Sequence, residues 1–172
     1  TRRKNLLLRD LDELVNQQLS KMLFANPQRI DYYDRYQEII DAYNAEQNRA
    51  TIEKTFMDLM ELASSLDTEQ QRYVREGFSS DEELSVYDLL FSENLTKQEI
   101  DTIKKVSVDL LTKIKQQIAK LDHWTDKQET KAIVDNLIRN TLWQELPNSY
   151  DVSDIQTYQK KIYEYVYMRY PE

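Results

Sequence analysis

One glycine, three prolines, one histidine and no cysteine are all that 172 residues contain of these types. Ordinary usage would supply about 7% glycine, so a single one removes most of the means for left-handed turns, bulges and tight hairpins and argues against a large β architecture. The same scarcity excludes the G-x-x-x-x-G-K-[ST] and G-x-G-x-x-G phosphate loops, because each needs at least two glycines. Binding of nucleotides by either route is therefore not open to this chain. Without cysteine there are no disulfides, thiolate zinc sites, iron–sulfur ligation or thiol nucleophiles; on compartment that absence leans only slightly toward the cytosol. No apolar run reaches the roughly 18 residues of a membrane-spanning helix, and the mean hydropathy is −0.76.

What is present is charge and tyrosine. Asp and Glu number 31 against 23 Lys and Arg, a formal charge of −8, which disfavours direct contact with a phosphate backbone. The balance is uneven along the chain. Asp81, Glu82, Glu83, Asp88, Glu93, Glu99 and Asp101 face Lys97 alone, whereas residues 104–131 hold seven lysines against four acids. Solvated helix faces and docking surfaces both fit such patches, the former being the simpler reading. Thr1 opens the chain, followed by Arg2, Arg3 and Lys4 with no apolar signal core behind them, and this reads as a fragment cut from a longer protein.

Helical punctuation dominates. Segments 4–24, 29–45 and 51–65 carry apolar residues at spacings of three and four, and a short fourth helix at about 68–76 is expected to end where Gly77 can take the left-handed position beyond a helix. The stripes are Leu7, Leu11, Leu14, Val15 and Met22; then Ile30, Tyr33, Tyr36, Ile40 and Tyr43; then Ile52, Phe56, Leu59, Met60 and Ala63. Ser80 with Glu83, Thr96 with Glu99, Thr125 with Gln128 and Ser153 with Gln156 fit the capping box, in which a hydroxyl and a side chain three residues on satisfy orphan amide groups. They predict helices at 81–91, 97–120, 126–145 and 154–169. The strongest stripe is Ile100, Ile103, Val106, Leu110, Ile114, Ile118 and Leu121, and Leu146-Pro147-Asn148-Ser149 is the clearest loop. Residues 1–172 thus read as one all-α domain, a bundle of about eight helices.

Catalytic constellations are scarce. His123 is the single histidine, set between Asp122 and Trp124 in an expected loop, and no Glu-x-x-His or His-x-x-x-His accompanies it. Asp126 with Glu129-Thr130-Lys131 imitates the acidic-x-Lys signature of metal-dependent nucleases, yet at 100° per residue Glu129 and Lys131 project about 200° apart. The anomaly is aromatic: twelve Tyr against four Phe, large rings that keep a polar handle. On the last helix Ile155, Tyr158, Ile162, Val166 and Tyr170 make a core stripe. Tyr163 and Tyr167 lie about 80° and 120° from Ile155, either as core for a wrapped terminal helix or as part of a partner-binding face.

The run Arg29-Ile30-Asp31-Tyr32-Tyr33-Asp34-Arg35-Tyr36 through Asn44, then Glu82-Glu83-Leu84-Ser85-Val86-Tyr87-Asp88-Leu89-Leu90, the Leu121-Asp122-His123-Trp124 corner, Leu146-Pro147-Asn148-Ser149-Tyr150 and Tyr163-Glu164-Tyr165-Val166-Tyr167-Met168-Arg169-Tyr170-Pro171 together resemble the C-terminal helical region of the R subunit of type I restriction-modification enzymes, over residues 29–171. His123 departs from a pattern in which Asp directly precedes the Trp. The resemblance implies a large cytoplasmic subunit whose nuclease and two RecA-like ATPase domains lie upstream and use ATP and Mg. For this segment it implies an assembly module that joins the motor to the methyltransferase and specificity subunits, with no catalytic residue, cofactor or metal of its own and no direct nucleic-acid contact. Tyr163 and Tyr167 are the candidate partner interface. A rival reading makes the segment a DNA-contacting helical element of the motor, supported by Lys104, Lys105, Lys113, Lys115, Lys120, Lys127 and Lys131.

Overall fold

The computed structural model describes residues 2–172, with side chains described from Asn5 onward. Every regular element among them is helical: α1 (Arg2–Ala25), α2 (Ile30–Ala45), α3 (Arg49–Gln70), α4 (Arg72–Arg75), α5 (Asp81–Leu90), α6 (Lys97–Ala119), α7 (Gln128–Glu145) and α8 (Val152–Arg169), with 3-10 turns at Pro27–Arg29 and Trp124–Asp126. The all-α expectation of eight helices holds. Internal contacts gather into two compact units, one ending at Gly77 and the other beginning at Phe78.

In the first unit α1 stops at Asn26, whose side chain accepts the Gln28 amide while Pro27 supplies the fixed φ of the next turn. The Asn48 side-chain oxygen accepts from the Thr51 amide and so opens α3. Leu8, Val15, Leu19 and Met22 of α1 pack with Tyr36 of α2 and Leu59, Leu62 and Leu66 of α3. The seams on α1 and α3 are therefore rotated from those read off the sequence: Leu7, Leu14, Phe56 and Met60 are exposed, as are Ile30 and Tyr33 of α2. Both helices carry apolar residues over an arc wider than one seam, so periodicity alone does not choose the buried edge. Beneath the apolar layer lies a charged one. Arg29 and Glu69 are 3% and 6% exposed, their Nε and Oε2 are 3.7 Å apart, and Arg29 also donates to the Met22 carbonyl. Arg72 Nε donates to both Glu69 oxygens at 2.6 and 2.9 Å. One carboxylate thus ties together the chain before α2, the end of α3 and the start of α4. Gly77 closes the unit at φ 86°, the left-handed position expected of it.

The second unit is built on α6, whose Ile103, Val106, Leu110, Ile114 and Ile118 are all buried as expected. Thr96 and Glu99 form the full capping box. At Ser80 the hydroxyl accepts the Glu83 amide, while the Glu83 carboxylate reaches the Ser79 amide, one residue earlier than the box pattern places it. Two expected boxes are corrected. Helix α8 starts two residues earlier than Ser153 predicts, because Asp151 and Asp154 make the reciprocal pair instead; a carboxylate accepts amide bonds as a hydroxyl does and favours the positive end of the helix dipole. Thr125 caps nothing: its hydroxyl donates to the Pro171 carbonyl, and α7 begins at Gln128 without a side-chain cap. Leu146 is extended before Pro147, as steric contact with the proline ring requires. Tyr150 turns in behind that loop and donates its hydroxyl to the Leu90 carbonyl at 2.5 Å.

Candidate docking surface

The C-terminal tyrosines are placed by a buried tryptophan. Residue His123 takes a left-handed φ of 45°, which reverses the chain after α6 and drives Trp124 into the interior with none of its surface exposed. Its indole N–H donates to the Tyr170 carbonyl at 2.6 Å, and Thr130 donates to the Trp124 carbonyl. Tyr163 and Tyr167, one turn apart on α8, each present a ring to the indole edge-on, with centroids 6.0 and 5.8 Å away, and lie 6.1 Å from each other. The structure brings the two expected interface residues together on one support. They differ in exposure: Tyr163 is half-buried, and burial, then Asp135 and Tyr167, push its hydroxyl pKa up, whereas Tyr167 keeps 38% of its surface beside Met168, which is 70% exposed.

The residues weighed for chemistry are dispersed. His123 has a 56% exposed side chain, 3.5 Å from Asp122 and 3.7 Å from Glu172. Asp126 and Glu129 are exposed, and no group of three acidic or histidine side chains among the described residues is arranged to hold a metal. Three lysines of the 104–131 patch contact partners within the fold. Lys104 lies over the Tyr87 ring and Lys115 over Tyr170, while Lys113 contacts Asp109 at 3.0 Å and Glu145 at 3.4 Å. There Glu145 is pushed up by burial and by its hydrogen bond with Asp109. Asp109, held by that same bond and then by Lys113, goes down.

Sequence reading missed a surface in the first unit. Gln18 donates to Asp67, 49 residues on, and Leu7 meets Phe56 across a groove at the same separation, so α1 and α3 run parallel. The groove, about 410 Å³, is lined by Leu7, Ile52, Glu53, Phe56 and Met57. Leu7, Phe56 and Met57 are 52%, 37% and 66% exposed. The available signal was the width of the apolar arc, since Leu6-Leu7-Leu8 and Phe56-Met57 cannot all face one core.

A family model described as type I restriction enzyme HindI endonuclease subunit-like, C-terminal, matches residues 1–170. The chain belongs to that family. The match takes in α1, upstream of residue 29 where the resemblance begins, so the groove-bearing unit is part of this restriction-endonuclease C-terminal region. No curated protein and no solved structure matches the chain.

Proposed function

We propose that this C-terminal region of a restriction endonuclease is a docking module that tethers the ATP-dependent DNA translocase and endonuclease to the methyltransferase and specificity subunits. The observation that carries the reading is its membership, along nearly its whole length, in the C-terminal part of an endonuclease subunit, joined to a helical surface rich in exposed apolar side chains. An enzyme of several subunits needs such surfaces, and large apolar and aromatic side chains at their centres supply most of the affinity. Catalysis, ATP and Mg belong in this reading to upstream parts of the subunit, and the assembly works in the cytoplasm. Tyr163 and Tyr167 stay candidates, with Tyr167 offering the accessible ring.

The test is capture of the purified methyltransferase–specificity core by the immobilised chain, with retention expected at moderate salt. The DNA-contacting alternative is weakened by Lys104, Lys113 and Lys115, which meet aromatic rings or acids of their own unit. Duplex binding with a steep salt slope, without capture of the core, would replace the docking reading.

A further inference from the structure

We infer that a pocket lined by α1, α2 and α3 binds a carboxamide carried on a small hydrocarbon body; the docking reading neither requires nor excludes it. The pocket measures about 250 Å³, below the roughly 300–1,000 Å³ of drug-sized sites, so it suits a fragment. Leu8 and Leu59, 4% and 0% exposed, make an apolar floor with the half-buried Ile40. Thr55 marks the site. It is 4% exposed and lines the pocket, yet its hydroxyl has no hydrogen-bond partner among the described residues. Elsewhere Thr68, Thr102, Thr112, Thr141 and Thr157 each donate to the carbonyl four residues back in their helix. A buried hydroxyl left without an acceptor is a cost that a ligand in contact with it removes.

Hydrogen-bonding chemistry selects the ligand. One Asp12 oxygen accepts the Tyr36 hydroxyl, which leaves the other to take a donor. Thr55 thus calls for an acceptor and Asp12 for a donor. A carboxylate offers acceptors alone and an amidinium donors alone, whereas a carboxamide offers both in one plane. Asn5, also in the lining, can serve either group. Arg9 and Asp12, the charged side chains among the lining residues, are opposite in sign, and Arg9 is paired with Glu13, so no charged head is favoured. Tyr43, half-buried on α2, adds an aromatic surface for the body of the ligand.

The experiment titrates the whole chain with benzamide, benzoate and benzamidinium, which share a ring and a planar head and differ in hydrogen-bonding groups, and follows backbone amide shifts by NMR. Benzamide should saturate with a Kd of about 1 mM and move the amides of Leu8, Asp12, Tyr43 and Thr55. The two charged probes should bind at least about tenfold more weakly, the loss of one buried hydrogen bond. Thr55→Val keeps the shape of the side chain and removes the hydroxyl. It should weaken benzamide about tenfold without lowering the melting temperature, because no bond within the fold is lost. Asp12→Asn, which still offers an oxygen to Tyr36, should weaken benzamide likewise in a chain that circular dichroism shows to be folded. Equal binding of the three probes, no saturable shift (water alone in the pocket), or binding unaltered by Thr55→Val overturns the proposal. So does a lowered melting temperature for Thr55→Val, since the hydroxyl would then serve the fold. Capture of the methyltransferase–specificity core identifies the source of the amide: capture lost at saturating benzamide assigns it to an asparagine or glutamine side chain of the core, and undiminished capture assigns it to a free small amide. If no core is captured even without benzamide, the docking reading fails, and the pocket stands or falls on the titrations.

Discussion

Among the described residues up to Gly77, eight apolar side chains are buried and ten large ones are exposed, whereas from Phe78 onward twenty-two are buried and seven exposed. The buried polar groups differ in kind as well. In the second unit they are the hydroxyl residues Ser85, Ser107 and Thr141, and Ser107 and Thr141 donate one turn back to the carbonyls of Ile103 and Leu137. In the first they include Arg29 and Glu69, whose burial costs several kcal/mol per ion before pairing offsets it. Similar helices thus serve different ends: one unit closes over its apolar surface, and the other keeps a large share of it outside. Both tryptophans, Trp124 and Trp143, fall in the second unit. Indole fluorescence therefore reports on that unit alone while far-ultraviolet dichroism reports on both, and the contrast can be tested on the intact chain.

The largest expected effect is at the centre of the closed unit. Trp124→Ala removes a fully buried indole, its bond to Tyr170 and the support of two tyrosine rings, and truncating a core aromatic costs about 3–5 kcal/mol. Trp143 fluorescence should register the shifted transition in urea. A loss below about 1 kcal/mol would mean the corner is far less tightly packed than its geometry indicates. In the first unit Glu69→Ala removes the carboxylate that faces both Arg29 and Arg72 and should cost about 3 kcal/mol, the lower end of the range for breaking a buried ion pair, because Arg29 keeps its bond to the Met22 carbonyl and Arg72 keeps 27% of its side chain in solvent. The dichroism transition should move and the fluorescence midpoint should not. Coincident shifts in both signals would show that the units unfold as one and would break the comparison.

A smaller effect separates packing from docking at the C terminus. Tyr163→Ala should cost about 1–3 kcal/mol and Tyr167→Ala less, in line with their exposure. If Tyr167 is part of the interface, its truncation should weaken capture of the core by a larger factor than it lowers stability. A lowered melting temperature with unchanged affinity of the folded fraction removes both residues from the interface.

How legible this was depended on how narrow each apolar arc is. Helix α6 carries one dominant stripe, and the residues read as core from Ile103 to Ile118 are all buried, with Ser107 and Leu111 beside them. Helices α1 and α3 carry more apolar residues than one seam holds, and their buried edge was set by neighbours distant in sequence, which no local pattern encodes. Capping followed the same rule. Thr96 with Glu99 is local and was readable. Thr125 was claimed by Pro171, 46 residues away, and the Asp151–Asp154 pair offered a competing start two residues before Ser153. The buried Arg29–Glu69–Arg72 cluster left no sequence signal, since charged residues read as surface until a fold pairs them. Tyr163 and Tyr167 were legible as a second stripe, but their shared contact with Trp124 crosses from the corner to the last helix and appears only in three dimensions.

The smallest effect concerns the charge pair that links α5 to α8. Arg169 donates to the Glu82 carboxylate at 3.0 Å, with both side chains about a quarter exposed. Burial alone would raise the Glu82 pKa; a backbone hydrogen bond and then Arg169 and Lys115 outweigh it and hold the carboxyl below its ordinary value. A carboxyl whose pKa is lower in the folded state adds stability that is complete above the unfolded pKa of about 4.3 and is lost as pH falls through the folded value. Being partly exposed, the pair should contribute at most about 1 kcal/mol at neutral pH, and less at high salt. Glu82→Gln should therefore lower the fluorescence-detected stability of the second unit slightly at pH 7. Below the folded pKa of Glu82 the mutant and parent curves should converge. The first unit provides the internal control, because the dichroism that fluorescence does not account for should show no such convergence. Parallel pH profiles for parent and Glu82→Gln, separated by the same amount at neutral pH and below the folded pKa, would show that the substitution acts through packing and that the Arg169 pair adds nothing measurable to the closed unit.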